Sequence, residues 1–140
     1  FINGSIILIM GGLVLNVSFH NLLLTFGLTF LVSIAFSSTG LIFGMQAENW
    51  DQVMLLVTFA ITPLVYVGGV FYSIDMLPEG LIQTASLFNP LYYMVNGLRF
   101  GTLGVYDTSP LGSILMALGL TAISFGIGVY LFYKGWKIKD

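Results

Sequence analysis

Long apolar stretches separated by short polar links run through the whole chain. Four of them, at 1–19, 22–45, 53–74 and 111–133, hold no Lys, Arg, His, Asp or Glu. Each has about the 20 residues that a helix rising 1.5 Å per residue needs to cross a bilayer core. The pattern therefore predicts four transmembrane helices. The links at 16–21, around His20, and at 46–52, with Glu48, Trp50 and Asp51, are short and make neighbouring spans antiparallel. The connection from 75 to 110 is long yet still apolar, and it contains two helix-start signatures, Leu77-Pro78-Glu79 and Asn89-Pro90-Leu91. Proline suits a first helical turn, and asparagine is a good cap. The helices they open, at 78–87 and 90–102, are too short to span, which predicts an outward-facing re-entrant or interfacial hairpin between the last two spans. Gly101 and Gly104 are expected to end it, before a polar turn at Asp107-Thr108-Ser109-Pro110. The fold class is an all-α membrane protein.

Composition narrows the function classes. Of 140 residues, 57% are hydrophobic and 7% charged, against about 25% charged in a soluble domain, so lipid is the expected solvent. Four basic against six acidic side chains cannot build the clustered positive surface that nucleic acid requires. Cysteine is absent, which excludes a disulfide framework and a thiolate nucleophile. Phe1 opens inside an apolar run with no basic flank, so the sequence reads as the C-terminal part of a longer protein.

Lys134, Lys137 and Lys139 follow the last apolar run, and the positive-inside rule puts that tail in the cytoplasm. Counting back, the hairpin and His20 face outward, and the 46–52 link and Phe1 face the cytoplasm.

Few residues are candidates for chemistry. Thr62-Pro63 interrupts the third run as a packed kink or a gate. Beyond it, Gly68-Gly69 precede Phe71 and Tyr72, which read either as interfacial aromatics or as lining of a path. After Asn89, Tyr92, Asn96 and Arg99 fall at i, i+4 and i+7 on one helical face. Arg99 is the single basic residue before the tail. A cation at membrane depth is a functional candidate or a structural group, here paired with Asp75 or Glu79 or bonded to exposed carbonyls. Gly40-Leu-Ile-Phe-Gly44 is a small-xxx-small pattern that permits helix contact. The fourth run, with Gly119, Thr121, Ser124, Gly126 and Gly128, reads as scaffold. No metal ligand cluster, nucleophile–base pair or phosphate loop is evident, and the runs offer no titratable midplane group for ion coupling.

Thr62-Pro63-Leu64, Gly68-Gly69-Val70-Phe71-Tyr72-Ser73, Leu77-Pro78, Asn89-Pro90-Leu91-Tyr92-Tyr93, Gly97-Leu98-Arg99 and Gly101 together resemble the signature stretch of ABC-2 type transporter permeases. The resemblance is close over 62–104 and rests on hydropathy elsewhere. It implies a six-helix permease subunit, of which this chain would supply spans three to six. It also implies a second permease copy, as a homo- or heterodimer, and a separate cytoplasmic ABC ATPase subunit that holds ATP and Mg, with no cofactor on this chain. The cargo would be a drug, a lipid-linked glycan or another amphiphile, exported across a bacterial plasma (inner) membrane. In that scheme Tyr66, Phe71 and Tyr72 border the translocation path, Tyr92, Asn96 and Arg99 stabilise the outer hairpin, and Glu48, Trp50 and Asp51 contact the ATPase. The rival readings are an intramembrane lipid-modifying enzyme using Asp75, Glu79, Arg99 and Asp107, and a passive structural subunit.

Overall fold

The computed structural model describes residues 1–16, 18–73, 76 and 80–135. Among them every regular element is helical: α1 (Ile2–Leu15), α2 (Leu22–Gln46), α3 (Trp50–Val67), α4 (Leu81–Phe88), α5 (Pro90–Leu103) and α6 (Pro110–Tyr133). Three of these, α2, α3 and α6, are long and apolar enough to cross a membrane, and α1 is a shorter apolar helix.

The helix ends follow local chemistry. α1 stops at Leu15, short of the expected 19, because Asn16 adopts the left-handed conformation (φ 55°) and donates its N–H to the Gly12 carbonyl. Asn21 caps α2 by accepting from Leu24 N at 2.9 Å. Asn49 caps α3 by accepting from Gln52 N, while the Gln52 side chain accepts from Glu48 N. α3 therefore begins at 50, ahead of the expected 53. It ends at 67 instead of 74 because Gly69 takes φ +71°. The expected start of α4 at Pro78 lies outside the described residues. Gly104, at φ 74°, terminates α5, whereas Gly101 stays within the helix and serves a different purpose.

That purpose is packing. The core is a three-helix assembly of α2, α5 and α6. A Cβ placed on Gly101 would lie 2.6 Å from Thr25 Oγ1 and 3.1 Å from Thr25 N, and one on Gly97 would lie 2.9 Å from Leu28 Cδ1. Gly97 and Gly101 are thus the small-xxx-small pair on which α5 crosses α2. Gly40 and Gly44, the small-xxx-small pair of α2, have open space at the Cβ position and make no such contact among the described residues. α6 presents Ser113, Ala117, Thr121, Ser124 and Gly128 as its buried edge. Thr121 bonds both its own Ala117 carbonyl and the Leu31 carbonyl of α2, at 2.7 and 3.0 Å. By contrast, α1 touches α2 only lightly, and α3 carries no buried residue.

The course of α3 is irregular. Val57–Ile61 is a π-helical turn in which Thr62 donates both its N–H and its hydroxyl (2.9 Å) to the Val57 carbonyl. The wider turn comes directly before Pro63, whose ring crowds the preceding turn of a regular α-helix and which has no N–H to give it.

Candidate functional site

The densest polar cluster sits where the end of α3, the body of α5 and the 105–109 link converge. Arg99 supplies it. One guanidinium nitrogen donates to Asp107 Oδ2 at 2.9 Å and Ser73 Oγ at 3.1 Å, and the other donates to the carbonyls of Gly69 (2.9 Å) and Tyr72 (3.4 Å). Ser73 in turn donates to Asp107 Oδ1 at 2.9 Å. The Asp107 side chain is 5% exposed and that of Arg99 19%, so water screens this pair weakly. The fork geometry of arginine lets one side chain hold two separate loops at once. Arg99 is therefore structurally paired, but with Asp107. Asp75 and Glu79, the carboxylates expected from sequence, both lie outside the described residues, and the alternative expectation of bonds to carbonyls is met at Gly69 and Tyr72.

Asn96, one turn earlier on α5 and 1% exposed, finishes the same junction. Its side-chain oxygen accepts from Asp107 N (2.7 Å) and Thr108 N (3.3 Å), and its amide donates to Thr108 O and Ser113 Oγ. Tyr92 is 1% exposed, with its ring 5.3 Å from that of Tyr93. Tyr92 and Asn96 are thus core residues of the three-helix assembly.

A residue that sequence reasoning used only as a cap does more. Asn89 accepts from Leu91 N (3.0 Å) to start α5, and its amide donates to the Leu64 carbonyl at 2.6 Å. That carbonyl lies in the last turn of α3, where Gly68 N bonds Val65 O instead, so Asn89 satisfies one helix's beginning and another's end. The proline after Asn89 signals the first role, and no sequence feature signals the second.

The aromatic candidates gather at the same end of α3. The Tyr66 and Phe71 rings are 5.8 Å apart, both residues are exposed, and the Tyr72 hydroxyl donates to the Tyr66 carbonyl. At the opposite end of α3, Glu48, Trp50 and Asp51 are all exposed. Trp50, at 78%, is among the most exposed large side chains, and Asp51 stands in the first turn of α3, where the helix dipole favours a carboxylate. Of the grouping invoked for an enzyme, Asp107 and Arg99 are bonded to each other, and Asp75 and Glu79 are outside the described residues. Among the described residues, no three His, Asp or Glu side chains come together as a metal site would require.

Comparison with known proteins adds a sequence relationship. Residues 1–103 match the ABC-2 type transporter family. The chain is 41% identical to the inner membrane transport permease YadH of Escherichia coli strain K12 over 95 residues, 68% of this chain and 36% of that protein. It is 27% identical to nodulation protein J of Rhizobium leguminosarum bv. viciae over 93 residues, 66% and 34% of the two chains. With the nodulation protein J of bv. trifolii the identity is 32% over 69 residues, 49% and 26%. These matches thus span between about a quarter and just over a third of the relatives' length. No solved structure matches the chain.

Proposed function

The chain belongs to the ABC-2 type transporter family, and from that premise we propose that it is part of a membrane permease that moves an amphiphilic cargo across a bacterial inner membrane. The observation that carries this reading is the family match over 1–103 together with the identity to a transport permease. Four membrane-crossing helices, with α4 and α5 as an outward hairpin between the last two, are part of the same proposal. Three of the four, α2, α3 and α6, are long and apolar enough to cross, and α1 is the shorter apolar helix that would be the fourth.

In this reading the chain is a transport component and does not hydrolyse ATP itself. ATP and Mg are bound by a separate ABC ATPase subunit, and a second permease copy completes the path. The absence of Lys, Arg, His, Asp and Glu from the stretches 22–45, 53–73 and 111–133 supports an external energy source, since ion-coupled carriers place such groups at the midplane. Tyr66, Phe71 and Tyr72 border the path, and the 46–52 link faces the ATPase. The test is reconstitution in liposomes of the full-length protein with an ABC ATPase that co-purifies with it. Cargo export should require ATP, and export driven by a proton gradient without ATP would overturn the proposal.

Two predictions belong to this arrangement. Trp50 is an exposed aromatic of the kind that fills a partner's pocket, and its loss should cost about 2 kcal/mol, roughly thirty-fold in ATPase association. Trp50→Ala should then uncouple hydrolysis from export with insertion intact. If Trp50 instead anchors in lipid headgroups, Trp50→Tyr will restore normal coupling. The second prediction concerns orientation. Lys137→Cys, in a sequence with no cysteine of its own, should resist an impermeant thiol reagent added outside intact cells, and Tyr106→Cys should react.

A further inference from the structure

α3 is fastened at one end and loose at the other. Its C-terminal turn is bonded to Asn89 through Leu64 O, and the loop that follows is bonded to Arg99 through Gly69 O and Tyr72 O. Residues 62–67 also pack on α4 and α5, whereas 50–56 have their main contacts only along their own helix. Between the two parts lies the π turn Val57–Ile61. Beside that turn, where α3 and α2 meet α5 and α6, is an apolar cavity of about 300 Å³ whose α2 and α3 sides include Thr39, Gly40, Phe43, Leu56, Ala60 and Leu64. A Cβ on Gly40 would meet nothing within 4 Å. The one hydroxyl among these six, that of Thr39, is spent on the Ala35 carbonyl.

We propose that Val57–Ile61, with Pro63 behind it, is a hinge on which the N-terminal turns of α3 swing against α2 while the C-terminal end stays fixed. The motion is a change of register. In the observed form the Thr62 N–H serves the Val57 carbonyl; in the α form it would serve Thr58, and Ile61 N–H would take over Val57. The exchange replaces these backbone bonds one for one. Expelling the extra residue of a π turn rotates what precedes it by about 100° and shifts it by about 1.5 Å. Pro63 biases the resting state toward the π form, because the α form returns its ring to the Phe59 carbonyl. The cavity supplies the room, since a fully packed flank would resist a rotation of this size. The hinge would carry displacement at the Trp50 end into the helix without disturbing the Arg99 junction.

Disulfide formation in the full-length protein in membranes, with any cysteines elsewhere replaced, tests this independently of transport. Phe43→Cys with Leu56→Cys reports across the cavity, and Leu64→Cys with Leu91→Cys reports at the fixed end. The first pair should oxidise readily, about ten-fold more slowly when Gly40→Leu fills the cavity, and also more slowly with Pro63→Ala, which removes the bias and populates the α form that turns Leu56 away from Phe43. The second pair, which borders the same cavity at its anchored end, should keep its rate with Pro63→Ala. No cross-link at the first pair, a rate indifferent to Pro63→Ala, or equal responses of both pairs to Pro63→Ala would overturn the hinge. Because the readout is a rate of bond formation, these results leave the transport proposal standing or falling on its own test.

Discussion

Gly101→Leu should remove the folded protein from the membrane altogether, and Gly101→Ala should already cost about 1–3 kcal/mol, the usual penalty for overpacking. The reason is what stands opposite. A new Cβ meets the backbone N and Cα of Thr25 at 3.1 and 3.2 Å as well as its hydroxyl at 2.6 Å, and α2 cannot retreat there without breaking a second link. His20 N and Asn21 N bond the carbonyls of Thr102 and Gly101, at 3.0 and 2.8 Å, and so fasten the start of α2 to the end of α5. Gly126→Ala is the matched control, since its Cβ would meet nothing and alanine is the better helix former by roughly 0.5–1 kcal/mol. Thermal unfolding in detergent, followed by size-exclusion profile, should separate the two variants clearly. Equal stability would contradict the close crossing of α2 and α5.

Arg99→Ala is the second large effect. It leaves the Asp107 carboxylate almost fully buried without its cation, a loss of about 3–5 kcal/mol by analogy with other broken buried pairs. It also frees the Gly69 and Tyr72 carbonyls. Arg99→Lys should recover only part, because a single ammonium cannot reach Asp107 and Gly69 together. Adding Asp107→Ala to Arg99→Ala should be milder than the sum of the single changes, since the second removes the charge that the first orphans. Additive losses in that double-mutant cycle would show that the 2.9 Å pair carries no coupling.

How much of this was readable in advance depends on the range of the interaction. Caps act within three residues, so Asn89-Pro90 and the turn at Gly104 are visible as local chemistry. Apolar runs mark α2 and α6 nearly to the residue because hydropathy needs no partner. The Arg99 pairing is another matter. Asp107 lies eight positions on, past a left-handed glycine that folds the chain back, and nothing in the spacing prefers it to Asp75 or Glu79. The choice between Gly40/Gly44 and Gly97/Gly101 is likewise invisible, because a small-xxx-small pattern says that a helix can be approached and not which neighbour approaches. Pro63 announces an irregularity in α3, but its form as a π turn depends on Thr62 finding Val57.

The hydroxyls of the core bear on how the protein is made. Thr29 and Ser33 on α2, and Thr121 on α6, each donate to a carbonyl four residues back in their own helix, and Thr25 donates to that of the cap residue Asn21. Such a side chain is content in hydrocarbon before any neighbour arrives. Each of these helices can therefore leave the insertion machinery singly and wait in lipid. Arg99 has no such refuge on its own helix, since the acceptors of its guanidinium lie in the 69–73 and 107 segments. Biogenesis thus has a natural order: α2 is free to enter early, and α5 settles only once the chain through Asp107 has been synthesised.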